Sequence, residues 1–230
     1  MRGRQQVVVG LMIALIHGEP AAAAQVVALE DVVVFEAHTA DCHALKAAGL
    51  NDAKRLLVQA SVCMKKTFAL HHLTRHGRYV IANLWTELEI YDFADPKRPQ
   101  LVRSMTLDET HPAWGGGGLV KDGDTLLVLG TTVSAAVTMA GAPSAWTVRN
   151  LDPTPELKRR TEGLYSAATR EQDPADFGSD RRVVPLEGGR FEVRWDTVRP
   201  QRGVIRHRQH LRALESGATL LIDTHDETID

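Results

Sequence analysis

Residues 79–107, YVIANLWTELEIYDFADPKRPQLVRSMTL, leave the chain little choice of local fold. Val80, Ile81 and Ala82 form one apolar run. Leu88, Ile90 and Tyr91 form a second, ending on Asp92. Asp95-Pro96 and Pro99 break the chain before a third run at Leu101-Val102. Short runs of aliphatic and aromatic residues bounded by Asn, Asp and Pro are strand signals. Asp95-Pro96 suits a turn, because Pro presets φ and Asp bonds its own backbone. Pro99 has no N–H and belongs at a strand entrance or a sheet edge. Three strands in so few residues exclude an intervening helix, so the stretch is predicted to be an antiparallel meander. Such a unit buries a face only when something stacks on it.

The pattern LEIYDFADPKRPQLVRS resembles one LVIVD repeat, the blade-like unit of bacterial and archaeal surface proteins, through Asp92, Asp95, Pro96, Pro99, Leu101 and Val102. The resemblance spans residues 79–104 and implies a β-propeller. It brings no shared catalytic residue, so it implies a shape and not a reaction.

The N-terminus reads as an export signal. Arg2 and Arg4 precede an apolar run at residues 7–16, and Ala22-x-Ala24 offers a small-residue cleavage site before Gln25. A buried N-terminal strand or helix is the competing reading. No twin-arginine pair and no lipid-acceptor cysteine follow. No later run is long enough to span a bilayer. Residues 1–24 are therefore predicted to be a signal peptide and residues 25–230 a single domain that is periplasmic or secreted. In an oxidising compartment the only two cysteines, Cys42 and Cys63, are expected to pair; two buried thiols are the alternative. The formal net charge of −2 gives no global reason to bind nucleic acid, and an apolar share of 43% suits a globular chain. Lys158-Arg159-Arg160 and Arg181-Arg182 are too short for a nucleic-acid site and suit a solvated face.

QVVALEDVVVF at residues 25–35 reads as a hairpin around Glu30-Asp31 or as one long strand. Ala44, Leu45, Ala48, Leu56 and Leu57, with Lys46, Lys54 and Arg55 between, suggest a helical insertion over 41–60, with Asn51 capping its second piece. A second helix is predicted over 154–172, with Thr154 as cap and Pro155 at its first position. Glycines precede apolar runs at Gly77, Gly123, Gly188 and Gly217. The step from Gly77 to Gly123 is 46 (123 − 77), and from Gly123 to Gly217 it is 94 (217 − 123), near twice that. A period near 45 suits propeller blades, although Gly188 falls off this grid. If chain ends share a blade, residues 26–35 would complete the final sheet beside Leu220, Leu221 and Ile222. The run Gly115–Gly118 lacks the Lys-Ser/Thr of a phosphate-binding loop and reads as a turn or a glycine-lined strand.

Histidine is the residue type with chemical promise. His71, His72, His111, His207 and His210 precede or enter predicted hairpins. Convergence on one channel would hold Cu or Zn, since neutral imidazole is a transition-metal ligand. Scattered, hydrogen-bonded histidines are the alternative. Asp223, His225, Asp226 and Glu227 form a second metal or acid–base candidate after the last strand, against the plainer reading of a polar tail. No G-x-S-x-G elbow occurs. The sequence thus predicts a mainly β, propeller-like protein of four or five blades with one or two helical insertions. Its expected role is a binding or scaffolding module at the cell envelope with an unidentified protein or small-molecule ligand. A metal-dependent periplasmic enzyme is the rival.

Overall fold

Turn-forming residues divide the chain into short strands, and each run of four folds on itself. A computed structural model describes residues 26–228, less 31, 40, 51–53, 66–69, 71, 85, 108–118, 130–132, 153, 157–158, 160–180 and 187–188. Sixteen strands are found among the described residues. The first sheet holds β1 (Val26–Ala28), β2 (Val32–His38), β3 (His43–Leu50) and β4 (Leu56–Cys63). The second holds β5 (His72–His76), β6 (Tyr79–Asn83), β7 (Glu87–Asp92) and β8 (Gln100–Thr106). The third holds β9 (Leu119–Asp122), β10 (Thr125–Leu129), β11 (Val133–Thr138) and β12 (Thr147–Asn150). The fourth holds β13 (Arg181–Pro185), β14 (Phe191–Gln201), β15 (Val204–Ala213) and β16 (Thr219–Thr228). All four are antiparallel meanders in chain order, which makes the fold mainly β and propeller-like.

The meander predicted at 79–107 is β6 to β8, with β5 added in front. Asp95 Oδ1 accepts the Lys97 N–H at 3.0 Å, and Asp92 Oδ1 accepts that of Ala94 at 2.8 Å. Arg78 reaches Asp92 Oδ2 at 2.9 Å and ties this turn to the one at Gly77. Pro99 stands just before β8, the edge strand, where a missing N–H costs nothing.

Burial on both faces determines the stacking. In the first sheet Val27, Val32, Val34, Leu45 and Ala47 pack with Leu73, Val80, Ala82 and Tyr91 of the second. Val26, Ala28, Val33, Phe35 and Ala48, on the opposite face, pack with Phe191, Val193, Leu211 and Ala213 of the fourth. The second sheet turns Ile81, Leu88 and Ile90 toward Leu126, Val128, Val137 and Trp146 of the third. The order in space is therefore fourth, first, second, third. No hydrophobic cluster among the described residues joins the third sheet to the fourth.

Three expectations are corrected. Of residues 41–60, expected to be helical, His43–Leu50 form β3 and 56–60 belong to β4, while 51–53 lie outside the described residues. Ala44, Leu45, Ala47 and Ala48 mimic a helical pattern because a strand buried on both faces loses its alternation. Residues 26–35 do not complete the final sheet. Val32 and Leu221 belong to different sheets, and β1 and β2 form the hairpin expected around Glu30, with Ala28 opposite Val33. Pairing with the next residues along the chain closes a much shorter loop than pairing with the last strand. The glycine grid also changes. Gly77, Gly123 and Gly189 occupy the turn between first and second strands, at φ 58°, 61° and 64°, a conformation glycine adopts without strain. Gly217 serves the turn between third and fourth strands, so its spacing from Gly123 was coincidence. The true steps are 46 and 66 (189 − 123), the excess coming from the long connection after β12. In the helix expected at 154–172, Pro155, Glu156 and Arg159 have helical backbone. The rest of it lies outside the described residues, as do the predicted signal peptide and Gly115–Gly118.

Cys42 and Cys63 form a disulfide across the β3–β4 edge. The turn before β3 is fixed by Thr39, whose Oγ1 accepts the Cys42 N–H at 3.0 Å. Replacing both cysteines by serine is expected to lower unfolding free energy by about 3 kcal/mol in urea titrations, from the unfolded chain's regained freedom.

Trp146, fully buried, meets His76 and Tyr79 edge-on at centroid distances of 5.6 and 5.7 Å, and its Nε1–H is donated to the Gly141 carbonyl. Burial first, and then Lys121, hold the His76 imidazole below its ordinary pKa, with Asp124 opposing them. The folded state thus favours neutral His76. Stability from this site is complete above about pH 6.5 and declines below it, where the unfolded chain takes up the proton first. His76→Phe keeps an aromatic ring there and is expected to flatten the stability profile between about pH 7 and 5. Parallel profiles for both chains would contradict this.

Candidate functional site

The two ends of the sheets differ. The glycine turns and the Asp95 turn lie at one end. At the other lie the Cys42–Cys63 bond, the start of β5 at His72, and the connections that link sheet to sheet. First strands of successive sheets adjoin, β1 beside β5 and β5 beside β9, so they line the centre of the stack.

His72 begins β5 and is buried. Its Nδ1 accepts the Leu119 N–H from β9 at 2.7 Å, fixing Nδ1 as the unprotonated nitrogen. The bond ties two central strands together, which gives His72 a structural role. His71 and His111 lie outside the described residues. His207 and His210 both lie on β15, a third strand, whereas His72 lies on a first strand. Three positions apart on a strand, they face opposite sides of the fourth sheet. His72, His207 and His210 are therefore not on equivalent strands. Among the described residues no group of three or more His, Cys, Asp or Glu side chains could hold a metal.

Asp223, His225, Asp226 and Glu227 are not a tail following a strand; they are part of β16, which runs to Thr228. The register sets His225 opposite His207, Asp223 opposite Gln209, and Asp226 opposite Arg206. An irregularity between Gln209 and His210 admits one extra residue on β16, which leaves Leu221 half exposed and Ile222 buried.

The fourth sheet carries the strongest charge pattern. On the face away from the first sheet, Glu192 Oε1 lies 2.5 Å from Arg194 and 3.1 Å from Arg212. Asp196 takes Arg208 at 2.7 Å and His210 Nε2 at 3.3 Å. Glu192 is buried beneath its two arginines, whereas the partly exposed Asp196 pairs contribute about 0.2–1 kcal/mol each; the opposite, apolar face packs on the first sheet. The alternation F-E-V-R-W-D in β14 carries this signal, which a search for metal and nucleophile motifs passes over. A second feature without a motif is Glu89 on β7, fully buried, which accepts the Tyr91 hydroxyl and the Lys65 N–H. Burial first, and then Glu89, push the Tyr91 hydroxyl pKa far up, so it remains a donor. The pair anchors the segment crossing from the first sheet to the second.

The sequence matches no protein-family profile and no curated protein. Among solved structures, the chain is similar to a functionally unknown protein from Desulfotomaculum acetoxidans, at 11% identity and a TM-score of 0.42. It covers 92% of this chain and 63% of that one, so the chain spans less than two thirds of that protein's length. A protein from Lactobacillus plantarum gives 12% identity and a TM-score of 0.39, over 86% of this chain and 69% of the other. The N-terminal domain of Nup159 gives 10% and 0.33, over 86% and 61%. Likeness this distant says nothing of activity.

His72→Ala is expected to cost about 1–3 kcal/mol, because the buried Leu119 N–H loses its acceptor. His72→Asn, whose carbonyl can stand in for Nδ1, is expected to recover part of that. Equal urea midpoints for the two variants would remove the structural role.

Proposed function

We propose that the chain works outside the cytosol as a binding or scaffolding module of the cell envelope. It engages its partner at the end of the sheets that carries the sheet-to-sheet connections. The single observation behind this reading is the Cys42–Cys63 disulfide at that end. Disulfides persist in oxidising compartments, and this one stiffens the rim where the connections gather. The signal-like segment at 1–24 agrees with export. No helix among the described residues is long and apolar enough to cross a membrane. The LVIVD resemblance belongs to the same reading: residues 79–104 fold as three strands of one sheet, the shape that repeat implies.

The metal reading has one observation in its favour. His225 stands opposite His207, with Asp223 two residues away on the same strand. The register thus puts two histidine positions and one aspartate position on adjacent strands, residue types that suit Zn or Cu.

One preparation tests both readings. The full chain, expressed with a C-terminal tag in a bacterial host and released by osmotic shock, is expected to be cut near Ala24 and oxidised at Cys42–Cys63. It is expected to sediment saturably with envelope fragments. Cytosolic retention at full length with free thiols would end the proposal. Stoichiometric metal in the same material, lost in His207→Ala and His225→Ala, would favour the enzyme.

A further inference from the structure

We infer that the β14–β15 hairpin is an arm that docks the protein on an anionic phospholipid surface. The apolar face of the fourth sheet is confined to its glycine-turn half, where Phe191, Val193, Leu211 and Ala213 are buried. From Asp196 to Arg208 no described side chain is buried. About six residues of each strand, with β16 paired to β15 as far as Thr228, thus run some 20 Å past the core, at about 3.3 Å per residue. They end in the turn at Gln201-Arg202-Gly203. Strands of 11 and 10 residues, against 3 to 8 in the first three sheets, are the longest of the described fold apart from the 10-residue β16 beside them.

The tip of the arm is cationic. Residues 198–204 hold two arginines and no acid, net +2, within a chain of net −2, while Asp223, Asp226 and Glu227 of β16 stand opposite Gln209, Arg206 and Ile205, below the tip. Asp196 is engaged by Arg208 and His210. Arg199 and Arg202, at the tip, are exposed and make no ion pair among the described residues. With Gln201, Gly203 and Val204 they border an open groove of about 380 Å3. Two unpaired guanidiniums beside a groove present a fork for phosphate. Val198, Val204 and Ile205 are half-buried between the arginines and offer apolar contact at the acyl boundary. No Phe, Tyr or Trp lies within 196–208, so bases have nothing to stack on. With the disulfide's compartment, that favours lipid over nucleic acid. The inference names a partner for the envelope module proposed above and relies on that reading only for where the bilayer is met.

The test is cosedimentation of the full, oxidised chain with vesicles of phosphatidylcholine, alone or mixed with phosphatidylglycerol, at about 0.05 and 0.5 M salt. Binding is expected only to the mixed vesicles and to fall at high salt. An arginine at an anionic surface contributes about a fivefold gain, so R199Q/R202Q is expected to bind about 30-fold more weakly. R98Q, at an exposed turn of the second sheet, is expected to bind as the parent does. Circular dichroism and the intact disulfide establish that each variant is folded. Equal binding to both vesicle types, or no loss in R199Q/R202Q, would overturn the inference. Capture of a labelled DNA duplex with neglect of vesicles would also overturn it and make the arm a nucleic-acid contact. The fractionation experiment separates the two readings: a cytosolic chain that still binds the mixed vesicles keeps the arm and loses export. An exported chain that ignores vesicles keeps export and loses the arm.

Discussion

Burial of the first sheet on both faces is the constraint on which the architecture depends. Val32 and Val34 point toward the second sheet while Val33 and Phe35 point toward the fourth, all within one strand and all nearly inaccessible. A meander that buries one face needs one neighbour; this one needs two. The chain supplies the second neighbour from its far end, and Arg190 reinforces the contact by donating to the Glu30 carbonyl at 2.5 Å. Apolar burial stabilises by roughly 25 cal/mol per Å2. Two covered faces therefore outweigh the weak, screened ion pairs on the outer face of the fourth sheet.

Where a turn carries signature residues, the sequence is legible. Asp95-Pro96 and Pro99, with the apolar runs they separate, identify β7 and β8, and Glu30-Asp31 identifies the first hairpin. Legibility fails at β3, where Ala44, Leu45, Ala47 and Ala48 are buried on both sides and carry helix-forming propensity that tertiary packing overrides. It fails again for the repeat, because tight turns at one end of the second, third and fourth sheets take glycine whichever hairpin they close. Gly217 therefore looks equivalent to Gly123 without being so. The candidate site is harder still. Which histidines share a strand or a face depends on register, and one irregularity in β16 changes which side chains align. His72 illustrates the outcome: a residue type chosen for metal chemistry serves as a hydrogen-bond acceptor between central strands.

The fourth sheet divides its two faces, and its length, between unlike tasks. Near the glycine turns it completes the core of the first sheet. Beyond Asp196 its described side chains are half-buried or exposed, and its tip presents Arg199 and Arg202 to solvent. Stability comes from the first part, so changes at the tip are free of the packing constraints that govern Phe191 and Val193.

The strands of the first sheet emerge from the ribosome long before those of the fourth. Until residues near 190–213 have been made, Val26, Ala28, Val33 and Phe35 stand bare on one side of an otherwise finished meander. Synthesis therefore passes through a long interval in which a flat aliphatic sheet is open to wrong partners. A chain built this way keeps an association-prone face uncovered until its last sheet has been made, however small the finished protein is.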